Sequence, residues 1–362
     1  MPTLFEPFKL KDVHLRNRIA VPPMCQYMAE DGMPNDWHGV HYASIARGGA
    51  GLVIVEATGV SPEGRITPHC TGLWNDAQRD AFVPIAASIK AAGAVPGIQL
   101  GHAGRKASAN RPWEGDDHLA EGDPRGWQTI APSALAFGAN LPKVPREMSL
   151  EEITRVREDF VAAARRALEA GFEWLELHFA HGYLGQSFFS PHSNQRTDAY
   201  GGSRENRSRF LLETLAAVRE VWPEHLPLTA RFGVIEFDGD DERTMTESIE
   251  LVREFKAGGL DLLSVSIGFS TPEANIPWGP GFMGPIAQRV GRESGLPVAS
   301  AWGFGTPELS QKAITSGELD LVMVARAHLA DPHWPYAAAK ALGIERPSWT
   351  LPAPYAHWLE RY

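Results

Sequence analysis

Eight short apolar runs recur along the chain, and a stretch of helical periodicity follows each. They are residues 18–23 (RIAVPP), 51–57 (GLVIVEA), 94–101 (AVPGIQLG) and 173–179 (EWLELHF), then 226–232 (LPLTARF), 260–267 (LDLLSVSI), 296–302 (LPVASAW) and 319–326 (LDLVMVAR). The runs are nearly continuous in hydrophobicity, as parallel strands covered on both faces must be; a strand with one wet face alternates instead.

The intervening helices are marked by their own chemistry. Between 150 and 168, Leu150, Ile153, Val156, Phe160, Ala163, Ala167 and Leu168 step by threes and fours. Ser149 and Glu152 form a capping box before this helix, and Gly171 lies just past its end. A second helix spans roughly 204–221. Thr306-Pro307 reads as N-cap and first helical residue, and Asp331-Pro332 opens the last helix in the same way. Eight strands alternating with eight helices predict an α/β fold, a closed (β/α)8 TIM barrel forming one domain over 1–362. The rival, an open doubly wound sheet, lacks its phosphate fingerprint, because no G-x-G-x-x-G follows the first strand.

Segments outside this repeat point to where function sits. Residues 1–17, with Phe8, Leu10, Val13 and Leu15 alternating, are expected to form an N-terminal hairpin closing the barrel floor. Residues 102–148 are a long insertion after strand 3, and 268–282 form a long loop after strand 6. Both leave the C-terminal ends of strands, where barrels build their sites. The tail, 347–362, is aromatic and stiffened by proline. It is too apolar for a solvated tail and favours a homo-oligomer, a dimer first.

Composition excludes several classes. The formal charge of −10 argues against nucleic-acid or anionic-membrane partners. No run of about 18 apolar residues exists to span a bilayer. The N-terminus lacks the pattern of a secretory leader. Cys25 and Cys70 give no disulfide framework, so a reducing, cytoplasmic setting is expected.

The strand ends carry the chemistry. They deliver Cys25 and Tyr27, Ala57, Gln99 and His102, then His178, His181 and Tyr183, and finally Arg231, Trp302-Gly303 and Arg326. Gly303, Gly305 and Arg326 stand where barrels grip phosphate. His178 and His181 allow three readings. They could be half of a zinc site, packed core residues, or paired donors to one substrate oxygen that gains negative charge. No third ligand of recognised spacing is present, so no metal is expected; a metal-dependent barrel hydrolase using both histidines is the alternative. Tyr183 could then protonate a neighbouring carbon. Arg231 on a buried strand needs an anion, either a carboxylate or a cofactor that becomes anionic on reduction. Gln99 suits the edge of a heterocycle. Cys25 is a small core residue or a redox-tuning contact.

The stretches LRNRIAVPPMCQYMAEDG, GIQLGHAGRKAS, HFAHGYLGQSFFSPHSNQRTDAYGGS, ENRSRFLLE and LPAPYAHWLERY together resemble the Old Yellow Enzyme family of FMN-dependent ene-reductases, most of all its bacterial xenobiotic-reductase class. The likeness covers essentially the whole chain. It implies FMN across the barrel mouth, flanked by Pro23, Met24 and Cys25. Ala57 and Gln99 would hold its pyrimidine edge, with Arg231 beside it. The phosphate would lie near Trp302, Gly303, Phe304, Ala325 and Arg326. His178 and His181 would hold the substrate oxygen, and Tyr183 would donate the proton. Tyr27, Trp302 and Trp358 would shape the substrate pocket, Trp358 in its own or a neighbouring subunit. NADPH or NADH would reduce the flavin, which would pass hydride to electron-poor alkenes in a ping-pong cycle. Two departures stand out: Ala325 replaces the family's usual glycine, and His181 replaces the asparagine of many relatives.

Overall fold

The computed structural model describes residues 2–362. Eight parallel strands close into a barrel: β1 (Ile19–Val21), β2 (Leu52–Gly59), β3 (Val95–Gly101), β4 (Trp174–Phe179), β5 (Leu228–Ile235), β6 (Leu262–Ile267), β7 (Val298–Ser300) and β8 (Leu321–Met323). Each pairs with its neighbours in chain order, and β8 closes on β1. The eight apolar runs are therefore the eight barrel strands, and their residues are almost wholly buried, as strands covered by both core and helices must be.

The helix signals hold with two exceptions. Leu150–Glu169 carries the expected Ser149–Glu152 capping box, and Arg204–Val221 and Pro307–Thr315 start where their signals lie. Leu150, however, is 51% exposed, because the buried stripe begins one turn later at Ile153. The Asp331-Pro332 signal also misleads. Asp331 accepts a hydrogen bond from the His333 N–H at 2.8 Å, which makes a turn, and the helix begins only at Trp334. That helix is not the last, since Ala353–Leu359 follows it.

The N-terminal hairpin pairs Phe8–Leu10 with Val13–Leu15. It is tied to the strand starts by the Arg18 N–H donating to the Leu4 carbonyl and the Asp12 N–H to the His225 carbonyl. The insertion after β3 contributes a small parallel pair, Ile130–Ala131 with Arg146–Glu147. One irregularity matters later. The β2–β3 register shifts between Val55 and Ala57, leaving Glu56 as a bulge. In the tail, Trp358 and Tyr362 are exposed rather than packed, against the expectation from their apolar character. Among the described residues no helix is long and apolar enough to cross a membrane.

Candidate active site

A cavity of about 610 Å³ opens at the C-terminal ends of the strands. Pro22 and Pro23 after β1, His181 after β4, Arg231 on β5, Trp302 and Gly303 after β7, and Ala325 and Arg326 after β8 all line it. His178 and Tyr183 border a small adjoining space together with Ala57. The imidazole pair joins the two spaces, for the rings of His178 and His181 stand 4.9 Å apart, nearly perpendicular.

The backbone decides which nitrogen of His178 carries the proton. Its Nδ1 accepts the Ala180 N–H at 3.2 Å, so the proton sits on Nε2. His181 has φ +63°, a conformation held by Lys106, whose Nζ donates to the His181 carbonyl at 2.9 Å. Its Nε2 lies 2.8 Å from the Ser266 hydroxyl, which already accepts the Trp302 indole N–H at 3.0 Å. Ser266 can give its own proton to Nε2, and in that tautomer Nδ1–H is the donor of His181. Burial drives both imidazoles well below the usual histidine range, aided by Arg231 at His178 and by His178 at His181. Both are neutral at neutral pH, each with one N–H available.

Tyr183 starts the short helix Leu184–Phe189, and its ring stands edge-on to His178 at 5.0 Å. Burial, and then Cys25, raise its pKa, so it is a phenol with a proton to give. Beside β1, Cys25 is half-buried and its thiol is held protonated by the apolar packing around it. Tyr27 has φ +53°, and its ring meets Trp113 of the insertion edge-on at 5.9 Å. Met24 is partly buried against the core.

A buried acid organises the polar edge. Gln99 donates from Nε2 to Glu176 Oε1 at 2.7 Å, and Arg231 Nε lies 3.4 Å from the same oxygen. Arg231 also donates to the Ser264 hydroxyl at 3.2 Å. Glu176 Oε2 is buried without a partner. Burial raises the pKa of this carboxyl, and Arg231 opposes the rise. The sequence contained a signal for Glu176: an acid inside an apolar strand, two residues before His178 and hence on the same face.

The far end suits an anion. Gly303 has φ +85°, and a Cβ there would stand 2.4 Å from the Gly281 nitrogen, so only glycine fits. Arg326 lines the cavity with no carboxylate in ion-pair range among the described residues. Phe304 is buried, so only its backbone can serve a ligand. Trp358 is 78% exposed and does not line this chain's cavity. Among the described residues no three His, Cys, Asp or Glu side chains converge as a metal-ligand set.

The donor set fits FMN. An uncompensated cation lies beside a glycine turn, an amide and a guanidinium share one acid, and a neutral imidazole, His181, lines the same cavity with His178 beside it. Barrel and site together define a flavin-dependent oxidoreductase. The chain belongs to the NADH:flavin oxidoreductase / NADH oxidase family, whose model matches residues 3–345. It is 40% identical over 344 residues to the NADPH dehydrogenase of Geobacillus thermodenitrificans (strain NG80-2), covering 94% of this chain and 95% of that protein. It is 38% identical over 347 residues to the NADPH dehydrogenase of Bacillus subtilis (strain 168), covering 95% and 96%. Among solved structures, morphinone reductase in complex with tetrahydroNAD matches with TM-score 0.78 and 28% identity, over 98% of this chain and 97% of that one. The old yellow enzyme homologue from Zymomonas mobilis matches with TM-score 0.79 and 27% identity, over 98% and 99%. The Old Yellow Enzyme resemblance therefore stands, and the chain is an FMN-dependent NAD(P)H oxidoreductase. The likeness spans the family and does not single out its xenobiotic-reductase class.

Proposed function

We propose that the enzyme reduces the activated C=C bond of α,β-unsaturated carbonyl and nitro compounds, with NAD(P)H as the electron source, in two half-reactions at one site. Bound FMN supplies the hydride chemistry. The rest falls to the chain's own residues. Gly303, the Ala325 backbone and Arg326 grip the phosphate, and Pro23, Met24, Cys25 and Ala57 flank the ring. Gln99 and Arg231 take its polar edge. His178, through Nε2–H, and His181, through Nδ1–H, donate to the substrate oxygen and draw electrons from the alkene. Tyr183 supplies the proton to the α-carbon. Tyr27 and Trp302 bound the reactant, and nicotinamide and alkene use the space in turn. The exposed rings of Trp358 and Tyr362 support association with a second copy.

The observation that carries this reading is the tautomer of His178. Its Nδ1 is spent on the backbone, its proton is on Nε2, and the phenol of Tyr183 lies alongside. The test is anaerobic rapid mixing. NADPH is expected to bleach the yellow holoprotein, and cyclohexenone to restore its colour without NADPH. A bleached protein that no enone or nitroalkene reoxidises would sink the proposal.

A further inference from the structure

Behind the Cys25–Tyr27 segment lies a buried polar cluster that no step above uses. Its centre is Glu56, fully buried at the bulge of β2. The bulge sends its side chain toward the helix Asp36–Arg47 and the end of β1. Oε2 accepts the Gln26 N–H at 2.9 Å, and the Tyr27 N–H also faces the carboxylate. Oε1 accepts the Tyr42 O–H at 3.0 Å, while Tyr42 accepts the N–H of Glu56 itself at 2.9 Å. His38 Nε2 stands 3.4 Å from Oε1. His38 Nδ1 lies 3.0 Å from both the backbone nitrogen and the side-chain oxygen of Asn35, and its Nε2 is buried without a hydrogen bond.

We propose that Glu56 is a positioning residue that holds Cys25 beside the ring and Tyr27 beside the reactant, and that it does so only as a carboxylate. The inference rests on the ene-reductase reading for what that segment serves. Every hydrogen bond of the carboxyl comes from a donor: two backbone N–H groups and one phenol. A proton on Oε2 meets the Gln26 N–H, and one on Oε1 makes the Tyr42 hydroxyl reverse from donor to acceptor, so the donor shell of the carboxylate does not survive protonation unchanged. Tyr27 is the residue that gives way, because its left-handed backbone is disfavoured for a side-chain-bearing residue and needs an anchor.

The groups facing Glu56 are few. Tyr42 and His38 come from the helix, with His41 beside them, Cys25 and Tyr27 from the end of β1, and Cys70 from the segment after β2. No lysine or arginine is in ion-pair range among the described residues, and burial leaves His38 and His41 neutral, each lowered to about 4. Burial therefore raises the carboxyl to about 7, against the donors that lower it. Below neutral pH the anchor is lost.

The experiment uses the holoenzyme, Glu56→Gln and Tyr42→Phe. In the native enzyme the KM for cyclohexenone should rise about tenfold as pH falls through 7, with kcat nearly constant, as expected for losing one charge-assisted bond. Glu56→Gln should show the raised KM at every pH, and iodoacetamide should alkylate its Cys25 several times faster than in the native protein. Tyr42→Phe removes a donor to the carboxylate and should move the KM inflection to higher pH; it also serves if Glu56→Gln does not fold. A native KM profile retained in either variant, or unchanged Cys25 alkylation in Glu56→Gln, overturns the proposal. A holoprotein inert toward enones overturns the functional reading instead, and the alkylation rate then still judges Glu56.

Discussion

His178 on β4 and Arg231 on β5 are direct register partners in the barrel. The side chain assigned to the substrate and the one assigned to the cofactor edge are therefore fixed by one backbone ladder. Two residues earlier on β4, Glu176 reaches Arg231 and also Gln99 on β3, so three adjacent strands share one polar seam.

Tyr183→Phe keeps the ring that packs on His178 and removes only the proton. Reoxidation by cyclohexenone should slow by roughly 10²–10⁴-fold, while reduction by NADPH stays within a few-fold. Rapid mixing reads both halves. Equal slowing of the two would remove Tyr183 from the proton-donor role.

Glu176→Gln leaves Arg231 without its anionic neighbour. An uncompensated guanidinium favours the flavin state that carries more negative charge, so the midpoint potential should rise, by on the order of 30 mV for each 1.4 kcal/mol. Spectroelectrochemistry measures this directly. A potential that falls or does not move contradicts the assignment of Arg231 to the flavin edge.

Lys106→Met removes the donor to two carbonyls, that of His181 at 2.9 Å and that of Phe269 at 2.8 Å. Both residues have positive φ, 63° and 50°. Leaving such oxygens unpaired costs about 1–3 kcal/mol. Calorimetry should show Tm lowered by a few degrees, and the KM for enone should rise because His181 loses its backbone anchor.

Stability should fall between pH 6.5 and 4.5. His38, His41, His102 and His328 are each lowered to about 4 by burial, and burial also lowers His178 and His181 well below the usual histidine range. In this window the unfolded chain binds protons that the folded one refuses, so the stability of the native state is lost as pH drops. Buried acids work the other way. Glu56 at about 7, Asp159 at about 6, Glu176 and Glu236 bind protons in the folded state first, which offsets part of the loss. The histidines outnumber them, so a Tm series by calorimetry should decline with acidification.

The barrel was legible because parallel strands leave an unbroken apolar run, and nothing else in the chain produces eight of them. The strand-end residues were legible for the same reason: strand ends are fixed once strands are. What escaped depends on local backbone detail. Asp331 resembles a helix cap but spends its side chain on a turn, and Leu150 matches the apolar period yet lies in the first turn, outside the buried stripe. Glu56 and Glu176 both interrupt apolar strands, yet only a bulge, which leaves no mark in composition, turns the first toward Tyr42 and Tyr27. The exposed rings of the tail show that aromatic content alone does not fix what covers a segment.

The most direct measurement is a titration of the oxidised holoenzyme with p-hydroxybenzaldehyde, a phenolate that mimics the polarised substrate oxygen, followed in the flavin absorbance. The native protein should bind it and perturb the flavin band, and His178→Ala or His181→Ala should weaken binding at least about tenfold, one strong donor being worth 1.4 kcal/mol or more. Affinity unchanged in both variants, or binding that leaves the flavin band untouched, would contradict the account.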